Sequence, residues 1–456
     1  MIAGSLEVLL SLNFGQKNKT MKKAYYSFII LGLLGLFLGC LEEVEIDTSV
    51  EASINIEEIL IVEATLTDEM KNQMIILSRG SSFTNDSTEG YERDAIVNVI
   101  DDIGNNFSFF DNGEGKYVSE TPFAAQEDVS YQLLVTTSRG EELGSERVTS
   151  SGVSTIDDIY AQRIISDGGD DGMAIFVDSS NPSGEFNNYR YNYEETYKII
   201  APNWTSREFE IIQEELEFIV DQETEEVIEI IYPDVKLVER KQEERVCYNT
   251  VPSNEILLSD GISLDRNVLG GNLVRFINKI DPILSHRYSI LVRQFLQSAD
   301  AANFYNTLLQ FSQNANVFTE IQPGLIEGNV SFVNDPDAVV IGYFDVASVT
   351  ERRLFFDYDE FFPGEELPPY FGTVNCVRKL APRLGNPERD GPPPPAPDIC
   401  GGGQSLIELI QLEDIEFFLS TSDPPGVCEG PYFVTQRECG DCTALGSNIV
   451  PEFWIE

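Results

Sequence analysis

Histidine and basic residues are scarce in this 456-residue sequence, which has one His and 30 Lys and Arg against 77 Asp and Glu. The single His excludes multi-histidine metal sites and acid–base schemes with paired histidines. The net charge of −47 repels phosphate backbones, so we expect no nucleic-acid partner. The sequence also lacks G-x-S-x-G, H-E-x-x-H and P-loop motifs. These absences favour binding or assembly over catalysis, and they give no reason to expect a metal or a cofactor.

The sequence near the N-terminus has the pattern of a secretory signal peptide. A short basic segment over residues 21–23 is followed by an apolar run to Leu38 and then by Gly39. Because this run is shorter than the ~20 residues that span a bilayer, a signal peptide over residues 21–39 is favoured over a membrane anchor helix. Residues 1–20 precede this pattern, and we interpret them as an over-long gene start.

Cys40 directly follows the signal peptide, and the sequence Phe37-Leu38-Gly39-Cys40 resembles a bacterial lipobox. The resemblance implies cleavage before Cys40 and attachment of lipid, which anchors a protein to a membrane. Residues 40–55 form an acidic tether that is similar to the surface-export signal of Bacteroidetes lipoproteins, with a plain solvated tether as the alternative. We therefore expect a lipid-anchored outer-membrane protein that faces the cell exterior.

The other six cysteines are candidates for disulfides, because an even number in an exported protein favours cross-links. The spacing does not select among the possible connectivities. The C-x-x-C at residues 439–442 has two alternative interpretations, half a zinc site and a redox pair. The sequence has no second C-x-x-C that could complete a four-ligand zinc site. The disulfide candidates are Cys247, Cys376, Cys400, Cys428, Cys439 and Cys442.

From residue 56 to residue 150, short apolar or alternating runs are separated by turn residues. Asn, Asp and Gly between the runs supply the positive φ values that tight turns need. Short strands at this spacing predict an Ig-like β-sandwich. The predicted strands are residues 59–66, 73–78, 95–100, 107–110, 116–118, 131–137 and 141–149.

Residues 151–456 are predicted to form a larger β-rich domain, whose C-terminal part, 400–456, is rich in Cys and Gly. Tyrosines alternate with polar residues across a predicted strand at 189–200. The acidic region 206–244 keeps apolar pairs, which indicates long hairpin strands with acidic faces. Further strands are predicted over residues 156–165, 173–178, 288–295, 328–333 and 339–344.

One helix is predicted over residues 299–313, with Ser298 as its N-cap. We expect its apolar face to pack on a sheet, with the strand before it as a partner. The residues of this face are Ala301, Phe304, Leu308 and Phe311.

Three other features have a structural interpretation beside a functional one. The acidic, Gly-rich segment 166–172 resembles a calcium loop in composition but lacks EF-hand spacing, which favours a hairpin turn. His286 is interpreted as a structural or exposed residue rather than a catalytic one. The proline run 392–395 is predicted to be a polyproline-like loop, with recruitment of a partner as the alternative.

Several short segments, taken in order along the chain, carry a family resemblance. They are the lipobox, the Ile-Val-Glu of the first strand, Cys247-Tyr248, Phe304-Tyr305, Glu327-Gly328-Asn329-Val330, Ile341-Gly342-Tyr343-Phe344, Cys439-Gly-Asp-Cys442 and Pro451-Glu452-Phe453-Trp454. Together they resemble a Bacteroidetes lipoprotein family known as domain of unknown function 4249, over nearly all of the mature chain. Such lipoproteins are commonly encoded beside TonB-dependent transporters, so the resemblance implies a transporter partner but no activity.

The sequence thus predicts a surface-exposed outer-membrane lipoprotein that captures a ligand for, or assists, a TonB-dependent transporter. A structural or adhesive β-sandwich protein is the first alternative, and a secreted hydrolase with two carboxylates is the second. The ligand is unknown, and no ligand-binding residue is predicted.

Overall fold

Strands account for most of the chain that the computed structural model describes, which confirms the predicted mainly β class. Residues 1–55, which hold the predicted gene start, signal peptide, Cys40 and tether, lie outside the described residues, as do Cys400 and the proline run 392–395. The structure describes residues 59–80, 90–180, 188–215, 217–224, 227–259, 271–313, 326, 328–335, 338–371, 376–385, 403–422, 426 and 428–456.

The described residues contain 24 strands, four α-helices and two 3₁₀ helices. The helices are α1 (Ala299–Gln313), α2 (Tyr358–Phe361), α3 (Leu406–Gln411) and α4 (Arg437–Gly440), with 3₁₀ turns at Pro282–Leu284 and Cys442–Ala444. The strands are β1 (Leu60–Thr67), β2 (Met74–Arg79), β3 (Ile96–Asp101), β4 (Asn106–Asp111), β5 (Lys116–Ser119), β6 (Ser130–Thr136), β7 (Glu142–Ser145), β8 (Val148–Thr149), β9 (Thr155–Ile165), β10 (Asp171–Ser180), β11 (Asn188–Ile200), β12 (Arg207–Gln213), β13 (Glu217–Val220), β14 (Val227–Ile231), β15 (Asp234–Glu239), β16 (Val246–Pro252), β17 (Leu257–Ser259), β18 (Asn272–Asn278), β19 (Arg287–Gln297), β20 (Val330–Phe332), β21 (Val340–Asp357), β22 (Lys379–Pro382), β23 (Ile415–Ser420) and β24 (Glu429–Gln436).

Fourteen strands form one sheet that runs through much of the described chain. Its order is β16-β11-β19-β21-β1-β2-β5-β4-β3-β6-β7-β20, with β17 on β11 and β8 on β6. The strand pairs in this sheet are antiparallel except β1 and β21, which run parallel from Leu60↔Val340 to Thr67↔Ala347. The parallel pair joins the N-terminal strands to those that follow residue 150.

The N-terminal strands enclose a core that distant residues complete. Alternate residues of β1, from Leu60 to Leu66, are buried, as the sequence pattern predicts. Val330 of β20 and Phe344 of β21 pack into the same core. The predicted boundary at residue 150 falls between β8 and β9. It stays a prediction, since β21 contributes residues to the cores on both sides.

The second core lies between the β9-β10-β18 sheet and the strands β11 and β19. Met173 and Val177 of β10 pack there with Tyr191 and Tyr193 of β11. The alternating tyrosines of the sequence are therefore core residues, as expected from their spacing. The acidic region 206–244 forms two two-stranded sheets, β12 with β15 and β13 with β14, which confirms the predicted hairpins.

Two predictions about strands were wrong in detail. The strand expected over residues 141–149 is divided into β7 and β8, because the chain leaves the ladder at Glu146 and Arg147. The strand expected over residues 339–344 continues to Asp357 as β21, since its second half pairs with β19. β20 pairs with β7, while β21 pairs with β1 and β19.

Disulfides connect the C-terminal part of the chain to earlier segments. Cys247 of β16 is bonded to Cys442, and Cys376 is bonded to Cys439. Cys428 is also disulfide-bonded. The two cysteines of the C-x-x-C therefore pair with distant partners and not with each other, which supports structural cross-links over a zinc site or a redox pair.

Candidate functional site

A cavity of about 910 Å³ lies between helix α1 and one face of the large sheet. Strands β1, β2, β11, β19 and β21 contribute to its lining, together with residues 253–256. The cavity is thus placed where the parallel pair β1 and β21 meets the antiparallel strands of the second half. Its volume falls in the range of roughly 300–1,000 Å³ that is typical of small-molecule sites.

The surface that the cavity walls expose is mostly apolar, and polar and charged side chains are also present in the lining. This combination is usual in ligand sites, because apolar surface supplies binding free energy and polar groups fix orientation. The apolar side chains that define the walls are Ile61, Ile76, Phe295, Phe304, Leu308 and Ile341.

Several of the polar groups come from one face of the sheet, and others come from the segments at residues 71–72 and 253–255. In the parallel pair, Glu63 lies beside Tyr343 and Thr65 lies beside Asp345. In the next antiparallel pair, Arg190 of β11 lies beside Phe295 of β19. Because alternate residues of a strand share a face, this register brings acidic, basic and aromatic residues together under α1.

Helix α1 has the bounds that the sequence predicts. The Ser298 hydroxyl accepts a hydrogen bond from the Ala301 N–H at 3.1 Å, which confirms the N-cap. Phe304 packs on Tyr343 of β21, with 5.5 Å between ring centroids, and Leu308 lines the cavity. The predicted apolar face therefore serves partly as core packing and partly as cavity wall.

Arg190 has the most distinctive environment among the polar groups. Its guanidinium carbon lies 4.5 Å from the ring centroid of Phe295 and 4.8 Å from that of Tyr305, so the cation is held between two aromatic rings. One terminal nitrogen donates to the Thr65 hydroxyl at 3.3 Å. Its Nε is buried and has no hydrogen-bond partner within the described part of the chain. The guanidinium thus has one N–H donor without a protein partner among the described residues, and Arg190 is one of the residues that line the cavity.

Asp345 lies in the sheet beneath this cluster and is fully buried, with 0% of its surface exposed. Its Oδ1 accepts a hydrogen bond from the Val346 N–H at 2.9 Å, whereas its Oδ2 has no partner among the described residues. Burial raises the pKa of the Asp345 carboxyl to about 6, although the positive charge of Arg190 acts in the opposite direction. This carboxyl is therefore poised to titrate close to neutral pH.

The Gly-Asn and Gly-Tyr-Phe segments of the sequence meet beside the cavity and have structural roles. The Asn329 carboxamide donates to the Phe344 C=O and accepts from the Phe344 N–H, both at 2.8 Å. A Cβ on Gly328 would lie 1.7 Å from the Gly342 carbonyl oxygen, and one on Gly342 would lie 2.3 Å from that of Val62. Both glycines are therefore needed for close backbone approach at β21.

Other residues considered from the sequence lie away from the cavity. Segment 166–172 contains the turn between β9 and β10 and the first two residues of β10, which confirms the hairpin interpretation. Asp171 is paired with Arg163 at 2.6 Å. His286 is half-buried, and burial lowers its pKa with a smaller contribution from Lys198. Neither feature is part of the candidate site.

Buried acids outside the cavity are satisfied by nearby donors. Glu195 receives two hydrogen bonds from Arg275, each at 3.1 Å, and one from the Tyr288 hydroxyl at 2.7 Å. Within the ranges that the structure describes, no group of three or more His, Cys, Asp or Glu side chains could hold a metal ion.

Residues 42–353 match the family described as Domain of unknown function (DUF4249). The chain belongs to this family. All of the residues that line the cavity fall inside the match, whereas the Cys439-to-Trp454 segments of the resemblance lie beyond it. The match is thus shorter than the nearly complete coverage that the resemblance suggests. No curated protein matches the chain.

Sequence reasoning did not identify Arg190 or the cavity. The available signal is a basic residue inside the tyrosine-rich strand of a strongly acidic chain, and the alternation alone marks it only as a polar residue between tyrosines.

The described residues contain no helix that is long and apolar enough to cross a membrane.

Proposed function

We propose that this chain is a surface-exposed outer-membrane lipoprotein that captures a ligand beneath α1 and assists a TonB-dependent transporter. The observation that supports ligand capture is the cavity of about 910 Å³, with apolar walls and a few polar groups. The lipobox-like sequence at Cys40 supports the location. The family resemblance supports the partner.

Tethering explains how capture would assist transport. A lipid anchor confines the protein to the membrane that holds the transporter, which raises the effective concentration of each near the other. A ligand that dissociates from the cavity then has a high chance of meeting the transporter before it diffuses away. Binding, rather than chemistry on the ligand, is the function that this arrangement favours.

The partner is tested by purifying the tagged native lipoprotein from detergent-solubilised outer membranes. We expect a TonB-dependent transporter to be recovered with it. Recovery of the lipoprotein without any transporter, across several growth conditions, would contradict this part of the proposal.

Ligand capture is tested in the same cells with a variant that narrows the cavity. Leu308→Trp combined with Ile341→Trp places two indoles in the walls, while Leu309→Trp changes a residue of α1 that does not line the cavity. We expect the double variant to keep the transporter partner but to lose growth on the transported nutrient. Equal growth of the double variant and the Leu309→Trp control would argue against capture.

Adhesion through protein contact is the second candidate function, and one hairpin favours it. All four residues of β13 are exposed, and the β13–β14 hairpin displays Phe218, Val220, Ile228 and Ile230 at 39%, 48%, 66% and 40% exposure. Large apolar side chains on a solvated hairpin are typical of a contact surface. Replacing residues 217–231 by a short Gly-Ser turn should abolish cell attachment if adhesion is the function, and leave nutrient-dependent growth unchanged.

A further inference from the structure

Arg190 differs from Arg79, Arg240 and Arg275, three other partly buried arginines, in making no salt bridge to a carboxylate among the described residues. The described residues include no carboxylate in a salt bridge with it. Arg79 forms salt bridges with Glu92 and Glu141. Arg240 forms them with Glu244 and Glu416, and Arg275 forms one with Glu195.

Burial without a paired anion is costly for a cation, so the surroundings of Arg190 must compensate or a ligand must do so. The guanidinium of Arg190 lies within cation–π distance of Phe295 and Tyr305, whose rings contribute attraction. Its edge is less well satisfied, since the bond to Thr65 is 3.3 Å long and Nε has no described partner. An edge with free N–H donors is the part of a guanidinium that binds carboxylate, sulfonate or phosphate.

We propose that the cavity takes an organic anion, whose acid group binds the edge of Arg190 and whose apolar body lies against Phe304, Leu308 and Ile341. The inference rests on the proposed function, because it assumes that the cavity binds a ligand. Two observations support it: a cation that contacts two aromatic rings and makes no salt bridge among the described residues, and the apolar walls of the cavity.

The size of the cavity argues against a small inorganic anion. A volume of about 910 Å³ far exceeds what such an ion occupies, and it would leave the apolar walls in contact with water. A ligand with a hydrocarbon or aromatic body covers those walls and gains from their desolvation.

The negative charge of the protein does not prevent anion binding at this position. Salt screens charges in solution over about 8 Å at physiological ionic strength. Acids on the rest of the surface therefore act weakly inside the cavity, whereas Arg190 is one of its lining residues. The buried Asp345 interacts with the charge of Arg190 but does not line the cavity. Glu63 and Glu255 also belong to the lining, and they favour placement of the acid group away from them, at the Arg190 end.

The test compares two fluorescent probes that share an apolar body. Anilinonaphthalene sulfonate carries an anionic group, and N-phenyl-1-naphthylamine lacks it. The protein is the mature chain from residue 41, expressed without the signal peptide and Cys40, so that no lipid is attached and no detergent is needed. We expect the sulfonate probe to bind, and Arg190→Met to weaken its binding at least tenfold while binding of the neutral probe stays within twofold.

Two controls are needed. One distinguishes the effect of the Arg190 charge from an effect of net charge, and the other distinguishes binding in the cavity from binding to other apolar surfaces. Arg293→Met removes an exposed arginine of β19 that is paired with Glu351, so it should leave both probes unaffected. Displacement of both probes in the Leu308→Trp, Ile341→Trp variant shows that they occupy the cavity.

One outcome would contradict the anionic ligand, and another would contradict ligand capture in the cavity. Equal loss, or no loss, of the two probes in Arg190→Met overturns the assignment of an anionic ligand and leaves ligand capture intact. Failure of both probes to respond to narrowing of the cavity contradicts the proposed function itself.

Discussion

Asp345 offers a test of the site through the pH dependence of stability. The perturbation is Asp345→Asn, which keeps the size of the side chain and an oxygen for the Val346 N–H but removes the titrating group. Burial raises the pKa of this carboxyl from 3.8 to about 6 in the folded protein. Each pH unit of difference between the folded and unfolded pKa corresponds to about 1.4 kcal/mol, so the linked free energy is about 3 kcal/mol.

The direction of the effect follows from which state holds the proton. Below about pH 4 the Asp345 carboxyl is protonated in both the folded and the unfolded protein, and the folded state carries no penalty. Between about pH 4 and pH 6 the unfolded chain loses the proton first, so the free energy of unfolding falls as pH rises. Above about pH 6 both states are ionised, and the loss of about 3 kcal/mol is complete.

The assay is equilibrium denaturation in guanidinium chloride at pH 4 and at pH 7.5, with disulfides intact. We expect the free energy of unfolding of Asp345→Asn, relative to the native chain, to increase by about 3 kcal/mol between the two pH values. Asp335→Asn, at an exposed position, controls for the loss of one carboxylate. A difference between Asp345→Asn and the native chain that does not change with pH would refute the reasoning.

Two further predictions concern the framework around the cavity. Asn329→Ala removes both 2.8 Å hydrogen bonds to Phe344 and should lower the free energy of unfolding by about 2–4 kcal/mol in denaturant titrations, whereas the exposed Asn334→Ala should change it little. Loss of less than about 1 kcal/mol would show that water replaces the carboxamide. Replacing Cys247 and Cys442 together by serine opens a cross-link that spans 195 residues and should cost up to about 5 kcal/mol in the same titrations. An unchanged denaturation midpoint would contradict a stabilising role for that disulfide.

Features that depend on neighbouring residues were accessible from the sequence. Tyr191 and Tyr193 point into the core because a strand alternates its faces, and Ser298 caps α1 because its hydroxyl reaches the first turn. The turn glycines Gly104 and Gly113 have φ values of +98° and +97°, which other residues seldom adopt.

Features that depend on distant residues were not accessible. Alternation shows which face of β1 is buried but does not show that its parallel partner is β21. The disulfide partners were not accessible either. The spacing of Cys439 and Cys442 does not indicate that Cys439 pairs with Cys376 and Cys442 with Cys247. The cavity exists only where these long-range pairings bring β1, β11, β19 and β21 under one helix.

The environment of Arg190 illustrates the same limit for function. Its position in the sequence shows a polar residue between buried tyrosines. Its two stacking rings come from β19 and from α1, and the Thr65 hydroxyl comes from β1. A binding group assembled from four separate segments leaves no local motif.

Ligand capture is tested most directly by native mass spectrometry of the lipoprotein purified from its own outer membrane. We expect a bound organic anion on the native chain and on the Leu309→Trp control, and its absence from the Leu308→Trp, Ile341→Trp variant. An identical set of adducts on all three proteins, or no adduct on the native chain at any growth condition that supports transport, would contradict the account.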